Sequence, residues 1–191
     1  MVLVLSAQQL AKITAHAERV YPEECCGLML GKIETTSETT GEEPLKTMVE
    51  VAPLENHWTE GAGAGGTDSR SKPAGAPMDN IDNAEPTYTK HRRYSIAPKD
   101  MLRVQKYARA KALSIIGVYH SHPDHVAEPS ECDRAQAWPE YAYVIVSVHG
   151  KENGAKAVDV QNWALDLSHQ FQPEAIKVSP SAAKDRMPVS A

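Results

Sequence analysis

Residues 113–136 read LSIIGVYHSHPDHVAEPSECDRAQ. The first part, Ser114 to His122, is an apolar run of buried-strand character that ends in two histidines spaced two positions apart. In a strand, residues i and i+2 project from the same face. His120 and His122 therefore present two imidazoles together at a strand end, and two imidazoles on one face are the start of a zinc site. Ten residues separate His122 from Asp133, enough for the chain to leave the sheet, turn at Pro129 and enter a short helix whose first turn carries Asp133. Two histidines and one aspartate make three protein ligands. The fourth tetrahedral position is then left to water, which is the catalytic arrangement and not the closed structural one. Ser130 and Asp133 also have a purely local reading, an N-cap and its capping-box partner, and in that reading the metal loses its third ligand.

Outward from this stretch, helices and strands interleave. Ser6 to Tyr21 has Leu10, Ile13, Ala17 and Val20 at helical spacing, with Ser6 and Gln9 as a capping box and Pro22 as the stop. Cys26 to Lys32 reads as a strand covered on both faces, and Lys46 to Leu54 as a second. Arg93 to Ile96 is a short extended piece. Pro98 opens a helix through Leu113, with Met101, Val104, Ala108 and Ala112 as its apolar stripe. Tyr141 to Val148 and Val158 to Leu165 read as strands. The pattern predicts an α/β domain over residues 1–170, layered around one mixed β-sheet.

Two segments stand outside it. Residues 61–80 hold five of the eleven glycines and two prolines. Such a stretch buries little apolar surface, so 56–90 reads as a long flexible insertion. Residues 171–191 read as a disordered tail.

Composition narrows the function. The chain has 191 residues, 41% hydrophobic and 24% charged, with 20 Lys+Arg against 25 Asp+Glu for a net charge of −5. A basic surplus is the usual mark of a nucleic-acid partner, and it is missing. No apolar run approaches the ~20 residues of a spanning helix, so no membrane role is expected. Met1–Leu5 is too brief and lacks the basic leader of a signal peptide. Three cysteines without a C-x-x-C pair make neither a disulfide framework nor a cysteine zinc ribbon, and point to a reducing cytoplasm. Cys25 and Cys26 read as small buried strand residues. His16, His57, His91, His149 and His169 read as ordinary core or surface residues, and His125 as a loop residue near enough to serve as a fourth ligand or a supporting group.

Zinc hydrolysis also needs a group that moves protons. Glu23 and Glu24 lie where the first helix gives way to the buried strand, and spacing alone does not choose between them.

The string His120-Ser-His-Pro followed by Ser130-x-x-Asp133 resembles the zinc motif of the JAMM (MPN+) metallopeptidases. Pro22-Glu23-Glu24-Cys25-Cys26-Gly27 resembles the family's upstream element, and LSIIGVYHSHP and RRYSIAPKDMLRVQ resemble its stand-alone prokaryotic members. The likeness covers roughly Leu10–Asn56 and His91–Leu165. It implies a cytidine-deaminase-like α/β/α sandwich. It also implies zinc-dependent hydrolysis of a peptide or isopeptide bond at the C-terminal tail of a ubiquitin-like or sulfur-carrier β-grasp protein. Carried over by register, His120, His122 and Asp133 bind one Zn2+ per chain, Glu24 rather than Glu23 is the general acid/base, and Ser130 helps hold the oxyanion. A homodimer is compatible with this reading. The alternative is a non-catalytic MPN-type interaction module, which the complete ligand set disfavours.

Overall fold

Helix α1 (Ala7–Val20) starts at the expected cap: Ser6 Oγ accepts from Gln9 N, and the Gln9 side chain accepts from Ser6 N. The computed structural model describes residues 1–34, 44–59 and 89–179. The helix follows a first strand, β1 (Val2–Ser6), and leads to β2 (Cys26–Glu34) and β3 (Leu45–Leu54). Then come α2 (Pro98–Ala110), β4 (Ser114–Pro123), α3 (Glu131–Gln136), β5 (Ala142–Lys151), β6 (Gly154–Leu165), β7 (Phe171–Glu174) and β8 (Ile176–Ser179).

All eight strands form one mixed sheet in the order β7-β6-β5-β4-β2-β3-β1-β8. The pairs β4–β5, β1–β3 and β1–β8 are parallel and the others antiparallel. Helix α1 packs on one face with Leu3, Leu5, Met29, Met48, Val144 and Val146, burying Ile13 and Ala17. Helix α2 covers the other face with Leu28, Leu30, Leu54, Val118 and Tyr143, burying Val104 and Ala108. Burial of Ile13 alone is worth about 1.5–3 kcal/mol.

The sheet closes on itself. Strands β7 and β8 occupy opposite ends of the order, yet only Ala175 lies between them. Eight flat strands at ~4.8 Å spacing would hold those ends about 34 Å apart, about five times the ~7 Å that the chain can span from Glu174 to Ile176. The segment 171–179 therefore pairs with β6 along one half and with β1 along the other.

This corrects the expected domain end at residue 170 and the disordered tail for residues 171–179. These short strands are held mostly by backbone pairing, including Leu3 N→Ala175 O at 3.0 Å, and carry little apolar pattern to read. Residues 180–191 lie outside the described residues, as do 60–88 of the expected insertion. Met1–Leu5, read only as too short for a leader, supplies β1, whose Val2, Leu3 and Leu5 are buried.

Candidate metal centre

The site forms at the carboxyl end of β4. The antiparallel register sets Cys26 opposite His120. One step on, Ser121 N donates to Cys25 O at 3.2 Å and Cys25 N donates to Ser121 Oγ at 2.8 Å. Glu24 lies just ahead of β2 and lines the same cavity as His122. By strand alternation His120 and His122 share the α2 face of β4. Glycine is required at 27, where a Cβ would run into the ring of Tyr119.

Asp133 arrives from the other side. Ser130 caps α3, accepting from Asp133 N at 3.2 Å, while Asp133 Oδ2 accepts from Ser130 N at 2.7 Å and from Ser130 Oγ at 2.6 Å. The capping box predicted as the bland alternative is present, and it coexists with the cluster. Asp133 Oδ1 lies 3.4 Å from His120 Nε2, and Oδ2 3.8 Å from His122 Nε2. The two Nε2 atoms are 3.0 Å apart. These three residues are the one group among the described residues whose ligand atoms gather closely enough for a metal, all within 4.8 Å of one another.

The donor chemistry fits a cation. His122 Nδ1 donates to Val126 O at 2.9 Å, which leaves its Nε2 with a bare lone pair turned to the cluster. Burial pushes the fully buried His120 down to about 4, against the raising effect of Asp133. His122 is likewise lowered by burial. For Asp133 burial works upward, but His120 and the two Ser130 hydrogen bonds outweigh it and hold the carboxyl below its ordinary range. Near neutral pH the cluster is thus two neutral imidazoles facing a carboxylate. One ligand atom from each residue, all within 4.8 Å of one another, is a grouping close enough for a single ion. His120 Nδ1 is buried without a partner. Such an orphan costs about 1–3 kcal/mol, and native folds keep few of them.

Glu24 is 5% exposed and lines a cavity of about 390 Å³ together with His122, Ser130, Asp133, Tyr94 and Arg93. Burial, then the charge of Asp133, pushes it up to about 9, against the pull of Arg93 and Arg92. Glu23 points elsewhere: its side chain is 45% exposed and lies 3.9 Å from Lys90 Nζ. The two neighbours that spacing could not separate thus occupy different environments.

His125 is not part of the ligand group. It is exposed at the rim, where Arg92 Nη2 approaches its Nε2 at 3.0 Å, and its carbonyl accepts from Ser147 Oγ at 2.6 Å. Cys25 and Cys26 are buried free thiols, both pushed up to about 12 by burial. Sequence reasoning missed Tyr94, whose ring stacks on His120 at 4.6 Å between centroids and 26° between planes. It also missed Arg92 and Arg93 on the cavity wall. A short extended piece between a glycine-rich stretch and a proline-started helix carries no periodic signal that could have placed them.

A family model described as prokaryotic homologs of the JAB domain matches residues 6–166. A desampylase of Haloferax volcanii is 34% identical over 89 residues, which is 46% of this chain and 60% of that protein's length. The solution structure of a protein from Desulfitobacterium hafniense aligns with a TM-score of 0.61 at 21% identity, covering 96% of each chain. One from Salinibacter ruber aligns with a TM-score of 0.56 at 27% identity, covering 96% of this chain and 94% of that one.

Proposed function

The chain belongs to the family of prokaryotic homologs of the JAB domain, and from that premise we propose that it is a zinc-dependent hydrolase of the JAMM type. Its substrate in this reading is a peptide or isopeptide bond at the C-terminal tail of a ubiquitin-like β-grasp protein, sulfur carriers included. The observation that carries the proposal is the convergence of His120, His122 and Asp133 beside the buried carboxyl of Glu24. The likeness to a desampylase supports the substrate class. We hold the layered fold to be of cytidine-deaminase type, with one Zn2+ per chain, a cytoplasmic setting and a homodimer as a compatible assembly.

His120, His122 and Asp133 would hold the ion. When bound, zinc supplies Lewis-acid polarisation of the scissile carbonyl and a water acidic enough to ionise near neutral pH. Glu24 moves the protons. Its raised pKa suits it to hold a proton at a buried position and deliver it to the leaving amine. A cation at the three ligands offsets the negative charge of Asp133, the second cause of that shift, and so draws Glu24 back toward the ionised form a base requires. Arg93 and Arg92 act in the same direction. Ser130 stands beside the cluster, but its single hydroxyl proton goes to Asp133 Oδ2. To steady an oxyanion it must release that carboxylate oxygen and turn toward the cavity.

The test is turnover of a β-grasp carrier whose Gly-Gly tail ends in a fluorogenic amide, by the zinc-loaded chain and by Glu24→Gln. The proposal expects turnover in the first, and in the second retained zinc with turnover lost. Equal binding of the carrier and no turnover in either form would establish the interaction module instead.

A further inference from the structure

Asn56 is 6% exposed, and its side-chain amide is fully engaged. Nδ2 donates to Glu24 O at 3.0 Å and to Arg93 O at 2.9 Å. Oδ1 accepts from Trp58 N at 3.0 Å and from Ser95 N at 3.2 Å. The orientation of the amide is forced: two carbonyls require the NH2 group, and two backbone N–H groups require the oxygen.

The partners are not a random set. Glu24 is the buried carboxyl beside the ligand cluster. Arg93 and Ser95 flank Tyr94, whose ring stacks on the metal-facing imidazole of His120. One planar group thus ties the main chain under Glu24 to the main chain that presents Tyr94. Glu24 N closes the same junction by donating to Lys90 O at 2.7 Å, and Ser121 holds the adjacent Cys25.

We infer that Asn56 is a positioning residue for the proposed hydrolysis, holding Glu24 and the Tyr94–His120 stack in fixed relation through its four hydrogen bonds. This rests on the reading above. Asn56 touches no reacting atom in that scheme; it acts through the segments it joins. Misplacing a proton-transfer group by about 1 Å can cost about a hundredfold in rate.

The alternative is a clamp that merely steadies the chain around Trp58 and Ser95. Asn56→Asp separates the two roles. It keeps the acceptor for Trp58 N and Ser95 N and removes both donors to Glu24 O and Arg93 O. Asn56→Gln, which keeps the amide but shifts it by one methylene, guards against a fold defect special to the new charge.

With the zinc-loaded protein and the fluorogenic Gly-Gly carrier amide, both variants are expected to lose about tenfold or more in kcat, with KM and zinc stoichiometry within about twofold of wild type. In the metal-free protein, amide hydrogen exchange at Glu24 should accelerate about tenfold in Asn56→Asp, while Trp58 and Ser95 stay protected. Wild-type kcat in both variants, or unchanged exchange at Glu24, overturns the inference alone. A wild type that turns over no carrier overturns the hydrolase reading, and this inference with it.

Discussion

His16 and His120 are both buried histidines, each is paired with a tyrosine, and burial lowers each to about 4. They lie on opposite faces of one sheet. His16, on α1, has Nδ1 2.8 Å from Tyr119 OH, and the rings meet edge-on at 5.8 Å. Its polar need is met by that neighbour, and the charge it feels is that of Arg19, which lowers it further after burial. His120, the next residue along from Tyr119, has an unpartnered Nδ1 and turns Nε2 toward a second imidazole and a carboxylate. Burial and a depressed pKa are therefore common to a structural and a ligand histidine. What separates them is where the lone pairs go.

The contrast is most easily broken by deleting each ring in turn. His120→Ala is expected to abolish stoichiometric zinc binding and turnover together. His16→Ala should keep one zinc per chain and cost about 1–3 kcal/mol of stability through the stranded Tyr119 hydroxyl. Metal analysis beside thermal melts reads both, and zinc loss in the His16 variant would erase the distinction.

Next in size is Glu24→Gln, expected to lower kcat about a thousandfold at unchanged zinc content, with Glu23→Gln within about twofold. A larger loss in the Glu23 variant would contradict the geometry of the site. Ser130→Ala should reduce kcat by about a hundredfold if its hydroxyl reaches the oxyanion, and should also cost about 1 kcal/mol as a lost cap. Steady-state kinetics with a melting curve separates the two effects: a stability loss with kcat intact would leave only the cap.

The smallest effects appear in the pH dependence of the metal-free protein. Both histidines bind protons less well folded than unfolded, so their contribution is complete above the unfolded value of 6.5 and is lost as pH falls through about 4. Glu24 has the opposite sign. Unfolded it sheds its proton near 4.5 and folded it keeps it to about 9, so its contribution is full below 4.5 and declines as pH rises toward 9. Thermal melts of the metal-free wild type should fall between pH 6.5 and 9, and Glu24→Gln should flatten that fall. An equally steep fall in the variant would mean that Glu24 is not protonated in the fold.

Much of this contrast was legible in the sequence. The i, i+2 histidines, the cap at Ser130 and the helix stripes rest on local periodicity, and the structure places them together. The choice of face was not legible throughout. A register shift in the β2–β4 pairing leaves Ile116 without a partner in β2, so Ile116 joins the α1-face cluster along with Tyr119 while Val118 joins the other. Period-two reading carried back through the strand fails at that bulge. Nor were β1 and β8 legible, because closure of the sheet is set by backbone partners far apart in sequence. Asn56 and Tyr94 escaped for a similar reason: their meaning lies in contacts 32 and 26 residues apart in sequence, Asn56 to Glu24 and Tyr94 to His120.

The three-ligand metal centre is open to equilibrium zinc titration of the wild-type chain beside Asp133→Asn. One Zn2+ per wild-type chain is expected, with affinity weaker by at least about a hundredfold in the variant, since the amide supplies neither the charge nor the anionic oxygen a zinc ligand needs. Equal affinity in the two proteins, or no zinc uptake by the wild type, would contradict it.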